Sequence, residues 1–297
     1  MILVVGATGN LGGRVARLLR SEGQEVRCLV RQSSDDTGLQ ELGTEVVRGD
    51  LTLPASLNAA CQGVDTVIAT ATAISRRISG TSSATIRAVD EHGMSFLVDA
   101  AEAAGVRRFI YISFPGADTA IGTPLERAKL AIERRLVSSA MRTVIVRSDG
   151  FQEVVLAPMA RFDMAAGKAA VIGKGETKRR WVATEDIASL LAAVAIESDP
   201  PLLIEVGGPE PLTKNEALAI AAEFTHHRMK VQRMPRPIAR LAIRLLDRRN
   251  DALASVFGAG LLEDLQEATW DDKPLRQRGI SPRPTSDFLR EQARELT

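Results

Sequence analysis

The chain of 297 residues exceeds the usual domain of about 100 to 200, yet lies within reach of one large α/β domain or two fused lobes. Apolar residues make up 45% and charged residues 25%, which excludes a disordered, collagen-like or disulfide-scaffold chain. With 38 Lys+Arg against 37 Asp+Glu the formal charge is +1, so no global field directs the chain to nucleic acid as its main partner.

From the N-terminus, short β-branched runs alternate with helical patterns: strand at MILVVG, helix at LGGRVARLLRSEG, strand at EVRCLVR, helix near LQELG, strand at EVVRGD. This βαβαβ order is half of a doubly wound parallel sheet. A strand at VDTVIATAT, a long helix around SATIRAVDEHGMSFLVDAAEAAG, a strand at RFIYIS, a helix at PLERAKLAIERRLVSSA and a strand at RTVIVRS continue it. Gly105 is expected to close the long helix in the left-handed conformation. Past residue 150 the alternation weakens into Gly-rich turns (GKGETK, EVGGPEP), helices over about Glu185 to Ile196 and Thr213 to Phe224, and a basic helical stretch after Pro237. The expected organisation is an α/β doubly wound (Rossmann) domain over 1–150 and a smaller substrate-side lobe over 151–297, laid on the sheet's carboxyl edge. Cys28 and Cys61 have no metal-site or redox spacing and read as buried hydrophobes. With no apolar run of transmembrane length and no signal-peptide pattern, the expected location is cytoplasmic.

Gly6, Gly9 and Gly12 in GATGNLG follow the first strand and open a helix. The first permits the tight turn, the second lets the backbone approach a pyrophosphate, and the third lets helix and strand pack closely. With Thr8, Asn10 and Leu11 between them, they present free N–H groups and the positive helix end to phosphates. At the tip of the second strand, where a carboxylate would hold the ribose 2′-hydroxyl of NAD, stands Arg31, followed by Gln32, Ser33 and Ser34. A guanidinium pairs with a 2′-phosphate, which favours NADP(H); the alternative is a solvated Arg31 with Asp35 or Asp36 on the ribose.

The GxxGxxG spacing, together with GDLTLPASL, DEHGMSFLVDAAEAAGVRRFIYIS, RRWVATEDIA and VGGPEPLTKNEALAIAA in that order, resembles the NmrA-like branch of atypical short-chain dehydrogenase/reductases, which includes isoflavone-reductase-like enzymes. The likeness spans essentially the whole chain. It implies that Asp50 and Leu51 border the adenine and that Thr70, Ala71 and Thr72 line the phosphate and nicotinamide-ribose side. Standard short-chain dehydrogenases use a Tyr with a Lys four residues on. The sole tyrosine here, Tyr111, lies inside RFIYIS and is followed at that spacing by Pro115, so the dyad is absent. Lys129 occupies the helix where the family keeps its lysine, with Leu125 four residues before it, and the resemblance makes it the catalytic candidate or a holder of the ribose.

Ser113 ends the fifth strand, at the edge where open α/β sheets bind ligands, and its hydroxyl can polarise a carbonyl or act as a turn former. The resemblance sets Phe151 among pocket residues after the sixth strand, although a plain core role suits it better; the loop Phe114 to Thr123 follows Ser113. Thr184 and Asp186 read as a helix cap and a first-turn acid. His92, His226 and His227 have no ligand or triad spacing, so no metal site is expected.

Between Arg228 and Arg249 the local charge is +7, and Arg236, Arg240, Arg244 and Arg248 recur every fourth residue beside an apolar stripe of Ile238, Leu241, Leu245 and Leu246. The expected role of this 236–249 segment is a solvated basic face over a packed lobe, with a membrane surface as the alternative. The leading functional reading is an NADPH-dependent reductase passing hydride to a small, largely apolar carbonyl, quinone or enone. Its rival is a non-catalytic NADP(H)-binding sensor or regulatory and assembly partner.

Overall fold

A computed structural model describes residues 1–116, 121–226 and 228–296. Seven strands form one sheet: β1 (Ile2–Val5), β2 (Val26–Val30), β3 (Glu45–Arg48), β4 (Thr66–Ala69), β5 (Arg108–Ser113), β6 (Arg142–Ser148) and β9 (Leu203–Val206). Their order is β3-β2-β1-β4-β5-β6-β9, and the first six pair in parallel. The chain starts in the middle, winds outward to β3 and returns to β4, so the topological switch lies between β1 and β4. Their continuous apolar runs suit strands covered on both faces, and β1 and β4 are buried along their whole length. Around them pack Leu19, Leu57, Leu97, Phe109, Ile132 and Leu136, all essentially inaccessible.

The chain folds as two compact units. The first is Met1–Ser113, Pro124–Arg147 and Ile187–Ile204; the second is Phe114–Thr123, Ser148–Asp186 and Glu205–Thr297. The chain therefore passes between units several times, where the sequence suggests one boundary at 150. The return of 187–204 to the first unit has a local anchor. Arg108 donates from its guanidinium to the carbonyls of Val194, Ala195 and Glu197 at 2.7–2.9 Å, satisfying acceptors at the end of the helix Thr184–Ile196.

The second unit has its own small sheet, β10 (Lys230–Met234), β8 (Lys168–Ile172) and β7 (Phe162–Asp163), with β8 parallel to β10 and antiparallel to β7. Its core gathers Phe162, Val171, Trp181, Leu218, Phe288 and Leu289. The Asp149 carboxylate, wholly buried, accepts from Arg179, from the Arg180 and Gly150 N–H groups and from the Trp270 indole at 2.7–3.1 Å. A buried carboxylate needs such a set of donors, and here they bind the segments around residues 149, 180 and 270 together.

Several expectations need correction. The long helix over 83–105 is a π-helical segment Arg87–Gly93 followed by an α-helix Met94–Ala103, and a short helix Ile74–Ile78 precedes it. The wider turn carries Asp90 inward, where its carboxylate accepts the Ala73 N–H at 2.9 Å, and sets Gly93 directly against Leu51. Thr184 is the first residue of its helix, and its N–H and hydroxyl both donate to Glu153, at 3.0 and 2.8 Å. On the helix Arg236–Leu246 the packed face is Ala239 and Ile243, while Ile238, Leu241 and Leu245 face solvent. Gly105 does take φ +74° at its helix end, and Thr213 and Glu216 form a reciprocal cap on Lys214–Thr225.

Asp186 is buried, which pushes its carboxyl up from 3.8 to about 6 against the opposing hydrogen bond from the Arg283 N–H. Between those two values the folded chain holds a proton that the unfolded chain releases, so the stability contributed by Asp186 falls as pH rises through that window. An Asp186→Asn chain keeps an acceptor for Arg283. Its melting temperature is expected to exceed that of the native chain at about pH 7 and to approach it at about pH 4, by calorimetry. Equal differences at both pH values would show that the carboxyl is not protonated in the fold.

Candidate nucleotide and active site

β1 is followed by Gly6, which has φ +95°, a left-handed conformation open mainly to glycine. A Cβ there would lie 2.7 Å from the Thr70 hydroxyl and 2.8 Å from the Ala71 nitrogen. At Gly12 a Cβ would come within 2.3 Å of the Gly6 carbonyl oxygen. These two glycines are therefore demanded by backbone contact between the β1 turn, the helix Asn10–Ser21 and the tip of β4. Gly9 differs: it has an ordinary extended conformation, and the nearest obstacle to a Cβ is the Gly6 oxygen at 3.1 Å. No side chain caps the helix that begins after it. The amides at that start remain an anion-binding end.

Thr8, Gly9 and Asn10 line a cavity of about 360 Å³, opposite Asp35 and Asp36. Arg14 and Arg17 line it too, and neither is among the residues singled out from the sequence. The available signal was their position, two and five residues past Gly12 on the helix that the glycines open. The cavity sits at the start of the helix Asn10–Ser21, where Gly9 and Gly13 line it without side chains and the uncapped amides and two arginines suit a dinucleotide's phosphates.

The other expected cofactor residues are placed as follows. Arg31 is half-buried, with Nη2 3.5 Å from the Ser34 hydroxyl, and does not line the cavity. Asp35 accepts the Thr37 N–H and hydroxyl, and Asp36 accepts from Arg48 and Gln40, so both carboxylates already serve the turn after β2. Those bonds, the Thr37 pair first for Asp35 and Gln40 first for Asp36, hold each carboxyl below its usual range. Asp50 accepts the Thr52 N–H and hydroxyl at 2.8 and 2.7 Å, and the adjacent Leu51 is buried. The Thr70 hydroxyl donates to the Val5 carbonyl at 3.0 Å, which seals β4 to β1; Ala71 packs on the core, and the Thr72 hydroxyl accepts the Ile74 N–H. Leu11 is half-buried at the helix start.

At the end of β5 the structure collects polar groups in an apolar setting. Lys129 is only 6% exposed, and its Nζ donates to the Ile112 carbonyl at 2.8 Å and stands 4.6 Å over the Tyr111 ring. That carbonyl belongs to the residue directly before Ser113, whose buried hydroxyl makes no hydrogen bond among the described residues. The Tyr111 hydroxyl is likewise buried without a partner among them, and burial raises its pKa well above the ordinary value. Burial lowers that of Lys129, while the charges of Asp90 and Glu133 oppose the shift. Glu133 in turn holds the Arg147 guanidinium in a bidentate pair at 3.1 and 2.6 Å. The arrangement offers a buried amine whose proton is held less tightly than that of an exposed lysine, and an adjacent hydroxyl able to polarise an oxygen.

The remaining candidates lie apart from this cluster. Phe151 is half-buried and bridges to Val182 within the second unit. Of the loop Phe114 to Thr123, residues 117–120 lie outside the described residues, as does His227. Among the described residues no group of histidines, cysteines or carboxylates can hold a metal, and Cys28 and Cys61 are buried thiols pushed up to about 11 by burial.

A glycine turn at the switch point of a doubly wound sheet defines a nucleotide-binding α/β protein. The model of the NAD(P)H-binding family matches residues 6–198, and the chain belongs to that family. It is 25% identical over 277 residues to the photosystem II assembly factor Ycf39 of Trieres chinensis, covering 91% of this chain and 85% of that protein. It is 27% identical over 269 residues to the NAD(P)H azoreductase of Xenophilus azovorans, covering 90% and 84%. Its fold is shared with the NADPH-dependent quinone oxidoreductase QOR2 of Escherichia coli, solved with NADPH, at a TM-score of 0.74 and 22% identity, over 98% of this chain and 99% of that one.

Two substitutions separate cradle from scaffold. Gly12→Ala forces backbone apart and is expected to cost about 1–3 kcal/mol of stability by denaturant titration. Gly9→Val, by contrast, is expected to leave a folded chain whose affinity for NADPH is lost by fluorescence titration. Retained affinity in a folded Gly9→Val chain would put the phosphates elsewhere.

Proposed function

We propose that the chain is an NADPH-dependent oxidoreductase acting on a small, largely apolar carbonyl, quinone or enone. The observation that carries this reading is the buried Lys129 amine at the carboxyl end of β5, beside the buried Ser113 hydroxyl that has no partner among the described residues. A charged amine is costly to bury, and packing alone would favour an aliphatic residue at this position. A reduced nicotinamide supplies the hydride when bound. Lys129 delivers the accompanying proton to the substrate oxygen or carbon, and Ser113 orients the acceptor. Burial favours release of the Lys129 proton, and the charges of Asp90 and Glu133 oppose that shift. Arg31, with Arg14 and Arg17 beside the phosphate end, provides the cations that favour a 2′-phosphate, while Asp35 and Asp36 are engaged in the turn. The azoreductase and quinone oxidoreductase relatives accord with a reductase.

A second reading, a non-catalytic NADP(H)-binding sensor or assembly partner, has its own support. The sole tyrosine is sealed beneath Lys129 and is removed from proton transfer, and the Ycf39 relative is an assembly factor. Activity separates the two readings. With quinone, enone and carbonyl panels, Lys129→Met is expected to lower kcat by about two to four orders of magnitude and to change the KM for NADPH less. For a general acid with a lowered pKa, kcat falls as pH rises through a value below 10.5, and the Lys129→Met chain loses that limb. Binding of NADPH without turnover of any panel compound would favour the sensor.

Cofactor choice is tested separately. NADPH is expected to bind the native chain more tightly than NADH, and Arg31→Ala to remove much of that preference, as read by titration of both cofactors. Equal affinities for both cofactors in both chains would remove Arg31 from the 2′-phosphate.

A further inference from the structure

The helix Arg236–Leu246 turns an apolar side to water. Ala239 and Ile243 are buried against the second unit, whereas Ile238, Leu241 and Leu245 are 54%, 56% and 60% exposed. Spaced by three and four residues, these three form a continuous ridge along the helix. Arg240 and Arg244 run beside the ridge, and Arg248 and Arg249 extend the row past the helix end; all four are exposed. Among the described residues none of these four guanidinium groups enters an ion pair. The arginines nearer the start of the segment are differently placed. Arg236 is bound to the buried Asp264 carboxylate, and Arg233 donates to the Lys174 carbonyl and to Asn215. Packing thus accounts for the first arginines of the segment and leaves the last four, with three aliphatic side chains, facing outward.

We propose that this face docks on an anionic lipid surface, with Ile238, Leu241 and Leu245 entering the headgroup boundary and Arg240, Arg244, Arg248 and Arg249 on the lipid phosphates. The charge complementarity is local: the segment Arg228–Arg249 carries +7, while the whole chain carries +1. A bilayer surface satisfies both halves of the pattern, since acyl chains take the ridge and phosphates take the row. A nucleic acid would pair with the row and leave the ridge in water. A second copy packed antiparallel about a two-fold axis would cover the ridge but set the two arginine rows on the same side, which repels, and a lipid-free dimer is one outcome that the experiment below detects. The attachment is interfacial, since no helix among the described residues is long and apolar enough to cross a membrane.

The experiment is sedimentation of the full chain with vesicles of phosphatidylcholine containing about one-third phosphatidylglycerol, against phosphatidylcholine alone, at low and raised salt. Binding is expected only to the anionic vesicles and to weaken with salt. The variant Arg240→Gln/Arg244→Gln/Arg248→Gln is expected to bind on the order of a hundredfold more weakly. Leu241→Ser/Leu245→Ser is expected to lose roughly tenfold or more. Both change exposed positions, and circular dichroism verifies that they fold. Absence of binding to the anionic vesicles overturns the proposal, as does binding that either folded variant leaves unchanged. Retention by duplex DNA or polyglutamate but not by the vesicles identifies a polyanion site and overturns it too. So does a lipid-free dimer that the leucine variant converts to monomer.

Discussion

The nucleotide end of the first unit depends on how closely three backbone segments approach one another. The Gly6 carbonyl sits under Gly12, and Gly6 itself sits against Thr70 and Ala71. The Thr70 hydroxyl then closes the remaining gap by donating to Val5. Any Cβ in this contact would push the helix Asn10–Ser21 from β1 or part β1 from β4. No side chain caps the start of that helix, so its amides remain an anion-binding end. Architecture therefore demands glycine at Gly6 and Gly12, whereas the nearest obstacle to a side chain at Gly9 is a single carbonyl at 3.1 Å.

Each unit also holds an ionic group in its interior, and the two serve different ends. In the second unit Asp149 is saturated by Arg179, Trp270 and two backbone N–H groups, so its charge is fully compensated and its effect is to fix one arrangement of three chain segments. Replacing such a group with apolar residues is often neutral for stability, while removing one partner alone is costly. In the first unit Lys129 is less completely served. One carbonyl and the face of an aromatic ring accept it directly, and Asp90 and Glu133 act through the field alone. Lys129 thus keeps fewer direct partners than Asp149, and burial lowers its pKa from the ordinary lysine value.

The π-helical turn links these features. By carrying Asp90 inward it ties the segment after β4, through the Ala73 N–H, to the same buried region that holds Lys129 and Tyr111. It also presses Gly93 on Leu51. The two strand tips that flank the expected nucleotide path are thus held by one irregular turn.

The sequence by itself determined the sheet and most of its helices, because alternating β-branched and helical runs can pack only with both sheet faces covered. It also determined the family, since the glycine spacing and the order of the later motifs are properties of the linear chain. Gly105 was legible for the same reason: a helix-closing glycine acts within a few residues. What only the tertiary structure decided involves contacts between distant segments. The π turn depends on Ala73 and Leu51, and the Glu153 bond to Thr184 spans 31 residues. Arg14 and Arg17 came to line the cavity only when the turn after β2 folded beside the same space. Periodicity marked the helix Arg236–Leu246 as amphipathic, but which stripe would be buried depended on the surface it met, and that surface took the small Ala239 with Ile243 and left the leucines outside.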